Sequence, residues 1–310
     1  MSSGPSSPRR QFLRNAQNAD GGWGYFPGKH SWLEPTVYAT LALRGDPESA
    51  THVEKAWKLI RSWALPQGGW RMSADVPEAH WSSALCINLH ATLGVCDSHL
   101  IKTVDWMVQT VGAEGGLLFR VGQQMNPSPK DCDYALQGWP WRPHTSSWVE
   151  PTAHSIVALN KAAAAFGNRL NIVGLRTRVD MAERMLLDRR CQDGAWNYGN
   201  RKVLRKMMAS FPETTAVALL GLQTNRRNDV QEGLEVAHRY WREIPSPLGI
   251  AWLTVCLRSY GMIGNDEIPS RAPEVRPSRD ILLAAIQCFG EPGGAVGLLG
   301  APAVPAKVLA

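Results

Sequence analysis

The sequence predicts an all-α fold whose helices alternate between an inner and an outer layer. Three observations predict it. First, one segment occurs twice. Gly22-Trp23 leads through Pro27 to Ser31-Trp32-Leu33-Glu34-Pro35-Thr36, and Gly138-Trp139 leads through Pro143 to Ser147-Trp148-Val149-Glu150-Pro151-Thr152. The copies lie 116 positions apart with no gap between matched residues, so one supersecondary unit has been reused. Second, the helical runs are of two kinds that take turns along the chain. Third, strand periodicity is scarce, and the runs are joined by Gly-, Pro- and Trp-rich turns.

Taken in order, the charged and amphipathic runs are 11–17, 52–64, 99–111, 173–190, 230–242 and 279–289. The apolar, small-residue runs are 35–43, 81–93, 151–166, 214–223 and 249–260. An amphipathic helix keeps one face in water, whereas a helix that is apolar all round needs burial on every side. The first set is therefore assigned to the outer layer and the second to the inner layer. That leaves six outer helices, five inner ones and no sixth inner helix. Residues 1–8 are expected to be a disordered lead, 9–290 one domain, and the Gly/Pro/Ala-rich 291–310 a tail with poor helix propensity. Residues 120–147, with Pro127, Pro129, Pro140 and Pro143, form the longest interruption. A loop of that length in a compact domain is functional or disordered.

Composition narrows the function classes. Among 310 residues there are 13 Trp but only 6 Phe and 6 Tyr, and several Trp stand beside Gly in turns, a pattern of stacking between repeats. The net charge is +6, yet the basic residues are scattered and no basic stripe alternates with aromatics. That pattern reads as solvated surface in preference to nucleic-acid binding, and no nucleic-acid partner is expected. What remains is a basic rim for an anionic substrate, with at most peripheral membrane contact. The six Cys show no CxxC pair and read as reduced thiols of a cytoplasmic protein. No apolar stretch is long enough to span a bilayer. Arg9-Arg10 is not followed by the apolar region an export signal requires.

Three outer runs end in related turns: Gln17-Asn18-Ala19-Asp20-Gly21-Gly22-Trp23, Gln67-Gly68-Gly69-Trp70 and Gln192-Asp193-Gly194-Ala195-Trp196. These resemble the Gln…Gly-x-Trp repeats of the terpene cyclase (squalene-hopene type) and protein prenyltransferase superfamily, over roughly residues 10–290. The resemblance implies a single (α/α)5–6 toroid, inner helices around a cavity and outer helices around them. It implies that Gln ties each helix end to the next turn and that Trp stacks on it. Glu150-Pro151-Thr152-Ala153 is similar to the cyclase segment that opens with Asp-x-Asp-Asp-Thr-Ala, which puts Glu150 where the cyclases keep their acid. No Asp-x-Asp-Asp and no Asp-Asp-x-x-Asp occurs in the chain. The prenyltransferases' Asp-x-Cys zinc pair is also absent, Asp131-Cys132-Asp133 having a different order. No cofactor and no metal is expected.

Glu34, Glu150 and Glu213 each stand at the start of a Thr-containing inner run, with His80 assigned to the matching place on the second unit. Parallel inner helices would gather these four at one mouth, where helix N-termini favour negative groups. Capping of the helices is the competing reading of Glu and Thr. Trp32, Trp148, Trp81 and Trp139 are candidate substrate walls, since aromatic faces stabilise positive charge. Stacking between repeats competes with that role. His154 lies one helical turn beyond Glu150 and shares its face, as a proton partner or a core histidine. Asp131, Asp133 and His144 on the long loop are candidates to reach over the mouth.

Two functions stay open on this reading. One is an isoprenoid cyclase or isomerase acting on an apolar polyprenyl substrate, with Glu150 as acid. The other is a non-catalytic toroid that binds a lipid or, at an open ring edge, a partner protein or second subunit. A zinc-dependent prenyltransferase is a third, weaker option.

Overall fold

The computed structural model describes residues 7–116, 132–203, 206–225, 228–269 and 279–291. Five amphipathic helices form one set: α1 (Pro8–Asn15), α3 (Ala50–Ser62), α5 (Ser98–Gln109), α7 (Ile172–Asp188) and α9 (Asn228–Glu243). Six nearly all-buried helices form the other: α2 (Leu33–Leu43), α4 (Ser83–Leu93), α6 (Val149–Phe166), α8 (Pro212–Gly221), α10 (Pro247–Ser259) and α11 (Ile281–Phe289). The buried six touch in cyclic order, α2 to α4, α6, α8, α10, α11 and back to α2. The amphipathic five lie against them: α1 on α11 and α2, α3 on α2, α5 on α4, α7 on α6, and α9 on α8 and α10.

The two ends of the domain differ from expectation. Sequence pattern places the run 279–289 in the outer layer and leaves the sixth inner helix missing. The structure makes α11 that sixth inner helix: Ile281, Ala285 and Phe289 are fully buried, and it packs on α2 and α10. Arg279 and Asp280 lend the run its charged look, but they precede the helix, with Asp280 capping it through Leu283 N (3.0 Å). At the other end, α1 already begins at Pro8, capped by Ser7, so Ser7 and Pro8 belong to the helical domain. Glu291 is tied back to the same helix by ion pairs to Arg9 and Arg10, both at 3.1 Å. Residues 1–6, 117–131 and 292–310 lie outside the described residues, and with them most of the expected tail and half of the long loop.

Three short antiparallel ladders connect outer-helix ends to inner-helix starts: β1 (Arg71–Ser73) with β2 (Val76–Ala79), β3 (Trp139–Pro140) with β4 (Ser147–Trp148), and β5 (Lys202–Val203) with β6 (Lys206–Met207). Strands β3 and β4 pair Trp139 with Trp148. The first copy of the duplicated segment repeats this pairing as a single bond, Trp32 N to Trp23 O (2.9 Å), and the unit before α8 does so as Phe211 N to Trp196 O (2.8 Å).

The turns owe their shape to one recurring bond. Trp23, Trp70, Trp139 and Trp196 are all buried to 1% exposure or less. Each donates its backbone N–H to a hydroxyl near the start of the next inner helix: Thr36 (2.9 Å), Ser83 (3.1 Å), Thr152 (2.9 Å) and Thr215 (3.2 Å). A buried N–H without a partner is costly, so this bond sets the register of every turn on its helix. Three of the indoles also donate Nε1 to an outer-helix carbonyl, of Leu13, Met107 and Leu186. Gln17 plays the tying role expected of it, donating to Gly21 O (2.8 Å) and His52 O (2.9 Å).

Inner helices approach closely where side chains are absent. A Cβ on Gly221 of α8 would stand 3.0 Å from the Ala153 Cα of α6. Because that neighbour is backbone, Gly221→Ala is expected to destabilise by about 1–3 kcal/mol, read as a lowered urea midpoint. An unchanged midpoint would show that the two helices are free to separate.

Candidate functional site

The hydroxyl register defines equivalent positions without reference to the alignment of residue types. Two residues before Thr36, Thr152 and Thr215 stand Glu34, Glu150 and Glu213. Two residues before Ser83 stands Trp81, not His80. The expected equivalence of His80 with the glutamates is therefore corrected. The sequence offers no bond to count from, and His80 matches the glutamates only in polarity.

The six buried helices start on one face. Ile281 N at the head of α11 donates to Tyr25 O (3.0 Å), just ahead of α2. Ser246, the cap of α10, donates to Glu213 Oε1 at the head of α8 (3.0 Å). On this face the three glutamates come together. The Glu150 carboxyl has its pKa raised to about 8 by burial and then by the charges of Glu34 and Glu213. Glu34 is raised to about 7 by burial, against the lowering effect of the Tyr25 hydroxyl, which donates to Oε2 at 2.7 Å. Asp280 adds a further raising charge.

Capping does not account for these glutamates. No side chain caps α2, α6 or α8, whose cap positions are held by Trp32, Trp148 and Phe211. The threonines serve the tryptophan turns instead, and the glutamates are left without backbone duty. Among the described residues no group hydrogen-bonds the Glu150 carboxyl, which is buried by its surroundings yet keeps partial contact with solvent.

Beneath the carboxylates the axis is filled by rings. Tyr38 of α2 and His154 of α6 occupy the same column of the duplicated segment and meet there, hydroxyl to Nε2, at 3.3 Å. Trp81 lies 5.4 Å from His154, Trp252 lies 5.7 Å from His154 and 6.0 Å from Tyr38, and Phe289 lies 6.1 Å from Tyr38. Desolvation in this cage lowers the His154 pKa to about 3, so the imidazole is neutral across the physiological range. Of the two roles left open, core histidine is the one its surroundings match. Its partner is Tyr38.

Trp32 is half-buried beside Tyr25, at 6.2 Å, and Trp148 is half-buried at the head of α6. Trp139 is one of the four turn tryptophans, covered by the Arg178 guanidinium 3.8 Å from its ring. Arg178 also donates to the carbonyls of Gln137 (2.8 Å) and Thr110 (3.0 Å) and so holds the turn to the end of α5. Asp133 forms a local turn, accepting from Ala135 N, and its own N–H donates to Asp188 (2.9 Å). Neither of these bonds is to Glu34, Glu150 or Glu213. Asp131 lies outside the described residues. Asp20 and Asp193 each brace a turn, accepting from Ser31 (2.8 Å) and Ser210 (2.6 Å). No group of three His, Cys, Asp or Glu among the described residues is placed to hold a metal ion. No helix among them is long and apolar enough to cross a membrane.

Sequence reasoning misses Tyr25 and Tyr198. Each stands two residues after a turn tryptophan, as does Trp141. Tyr198 faces the mouth, its hydroxyl pKa raised by burial and then by Glu150 and Glu213, and its ring lies 5.3 Å from Phe211. Reading the duplicated segment column by column would find this aromatic position.

No family model matches the chain. Over 65 residues, 21% of the chain, it is 37% identical to the drimenyl diphosphate synthase of Streptantibioticus cattleyicolor, a stretch that spans 12% of that enzyme's length. Among solved structures it is similar to the apo type II terpene cyclase MstE from Scytonema, with a TM-score of 0.51 and 18% identity over 90% of this chain and 75% of that one. A complex of an MstE variant with geranylgeranyl dihydroxybenzoate aligns at a TM-score of 0.43 and 16% identity, over 94% and 95% of the two chains. At 18% identity the likeness to the apo structure of MstE is one of fold alone.

Proposed function

We propose that the chain is a terpene cyclase-like enzyme, a single α/α toroid that cyclises or isomerises an apolar polyprenyl substrate at the mouth ringed by Glu34, Glu150 and Glu213. The observation that carries this reading is Glu150. A carboxyl with a pKa of about 8 still holds its proton at neutral pH. It stands at the head of an inner helix among aromatic residues, with no hydrogen bond from the described residues to satisfy it. Like charges on the neighbouring carboxylates raise its proton affinity, and Glu34, near pKa 7, is placed to take up or resupply a proton. The rings of Tyr198, Phe211, Trp32 and Trp148 supply faces for a developing cation. The short likeness to a drimenyl diphosphate synthase supports an isoprenoid as the substrate class.

The test is incubation of the full chain with squalene, farnesyl diphosphate and geranylgeranyl diphosphate, with products read by mass spectrometry. A cyclised or rearranged product is expected from at least one of them. Glu150→Gln is expected to reduce its rate by about a hundredfold or more. No product from any of the three, or an unchanged Glu150→Gln rate, overturns the reading.

One observation favours a second reading, a toroid that binds a lipid without transforming it. The axis below the carboxylates is packed with Tyr38, Trp81, His154, Trp252 and Phe289, which limits how deeply a long chain can enter. Lipid co-purifying with the protein and extracted unchanged after prolonged incubation supports this reading over the first.

A further inference from the structure

The duplicated segment carries Glu34 and Glu150 in one column and Tyr25 and Trp141 in another, each pair 116 positions apart. The two copies share the glutamate and differ in the aromatic residue. In the first copy that residue makes a bond: the Tyr25 hydroxyl donates to Glu34 Oε2 at 2.7 Å. Tyr25 is held in place from two sides. Its carbonyl accepts from Ile281 N at the head of α11 (3.0 Å), and its ring lies 6.2 Å from Trp32. In the second copy an indole replaces the phenol. Trp141 packs edge to face on Trp81, ring centres 4.9 Å apart, and among the described residues no group hydrogen-bonds Glu150. Glu213, at the third position, accepts from Ser246 (3.0 Å). Two of the three glutamates receive a hydroxyl, and Glu150 receives none.

A hydroxyl that donates to a carboxyl favours its ionised form, because the bond to the charged acceptor is the stronger one. Tyr25 keeps its own proton for this purpose: burial and the Glu34 charge raise its pKa. At Glu34 the bond opposes burial and the charge of Asp280. At Glu150 nothing opposes burial and the charges of Glu34 and Glu213. Tyr198 faces the charges of Glu150 and Glu213, and Tyr38 those of Glu34 and Glu150, but Tyr38 bonds His154 instead.

We propose that Tyr25 divides the proton roles at the mouth: its hydroxyl makes Glu34 the proton acceptor and leaves Glu150, whose copy of the unit carries Trp141, as the proton donor. Tyr25 acts through Glu34 and is a positioning residue. Its part in catalysis rests on the reading of Glu150 as the acid, but the division of protons is measured without turnover.

NMR of the full chain, isotope-labelled at the glutamate side-chain carboxyls, follows each glutamate through a pH titration, with Glu34→Gln and Glu150→Gln assigning the signals. Tyr25→Phe removes only the hydroxyl. It should raise the Glu34 midpoint by about one pH unit and lower that of Glu150, since a more protonated Glu34 repels less. In the Glu34→Gln background the same change should leave the Glu150 midpoint in place, which a general loosening of the fold would not do. Should Tyr25→Phe fail to fold, fluorotyrosine in place of Tyr25 decides. It is a more acidic phenol of nearly the same shape, and should move both midpoints the opposite way. The proposal is overturned when the Glu34 midpoint ignores the change at Tyr25, or when Glu150 responds equally without Glu34. Where a product forms, its rate should fall off at lower pH in Tyr25→Phe than in the parent. Absence of product ends the cyclase reading and leaves the titrations standing. Titrations that fail while a product forms end this inference alone.

Discussion

Relative to Glu150→Gln, the protein is expected to lose roughly 2–4 kcal/mol of stability as pH rises from about 4.5 to 8; the comparison cancels the buried His154, whose pKa of about 3 makes stability rise with pH up to its ordinary value of 6.5. In the unfolded chain both carboxyls ionise near their ordinary value of 4.5, whereas in the fold Glu34 holds its proton to about 7 and Glu150 to about 8. Between those limits these two carboxyls bind more protons in the folded state than in the unfolded one, so their contribution to stability falls as pH rises. Below the window both states are protonated, and above it both are ionised, so the slope vanishes at each end. For each group the full cost would be about 1.4 kcal/mol per tenfold change in proton affinity. Partial contact with solvent screens some of it, which sets the lower figure given. Glu150→Gln is neutral at every pH and nearly the same shape. It should match the parent near pH 4.5 and exceed it above pH 8. Urea midpoints across the range measure this. A difference between parent and Glu150→Gln that stays flat through the window would mean that Glu150 is ionised at neutral pH, and the proposed acid would be lost with it.

The second large effect concerns the turn tryptophans. Trp196→Ala is expected to cost about 3–5 kcal/mol, a sizeable part of the total stability of a domain. The indole is fully buried, donates Nε1 to Leu186 O (2.7 Å), and lies against Gly233 of α9, where an added Cβ would stand 2.6 Å from the ring. Truncation leaves both a cavity and an unpaired carbonyl on the outer helix. Thr215→Val removes the hydroxyl that receives the Trp196 N–H and should cost about 1–3 kcal/mol. Trp148→Ala, at the half-buried mouth, should cost less than Trp196→Ala. The reverse order in thermal or urea unfolding would contradict the division of the tryptophans into turn and mouth groups.

Much of the architecture is legible in the sequence because it repeats. An apolar run such as 35–43 or 151–166 announces burial on every side, and the Gln17…Trp23 turn announces a tie that the structure bears out through Gly21 and His52. Errors arise where local composition opposes tertiary position. Arg279 and Asp280 make a buried helix look like an outer one. His80 looks like a relative of the glutamates, until the bond from Trp70 to Ser83 fixes the register and places Trp81 there. Tyr25 and Tyr198 are invisible as single residues, since nothing in a lone tyrosine marks a neighbouring carboxyl.

The sequence by itself determined the helical layers, the reuse of one unit and the placing of a glutamate at the head of three inner helices. These are properties of periodicity and repetition, which a chain carries along its length. Only the tertiary structure decided what those groups are. It closed the inner helices into cyclic contact through α11, and it buried Glu150 and Glu34, burial being the main cause that raises both pKa values, with the charges of Glu34 and Glu213 added at Glu150 and that of Asp280 at Glu34. It also turned His154 inward onto Tyr38 and buried the His80 Nε2 without a hydrogen-bond partner. The reason is physical: burial and the charges of distant neighbours govern proton affinity and hydrogen bonding, and both exist only once the helices have packed.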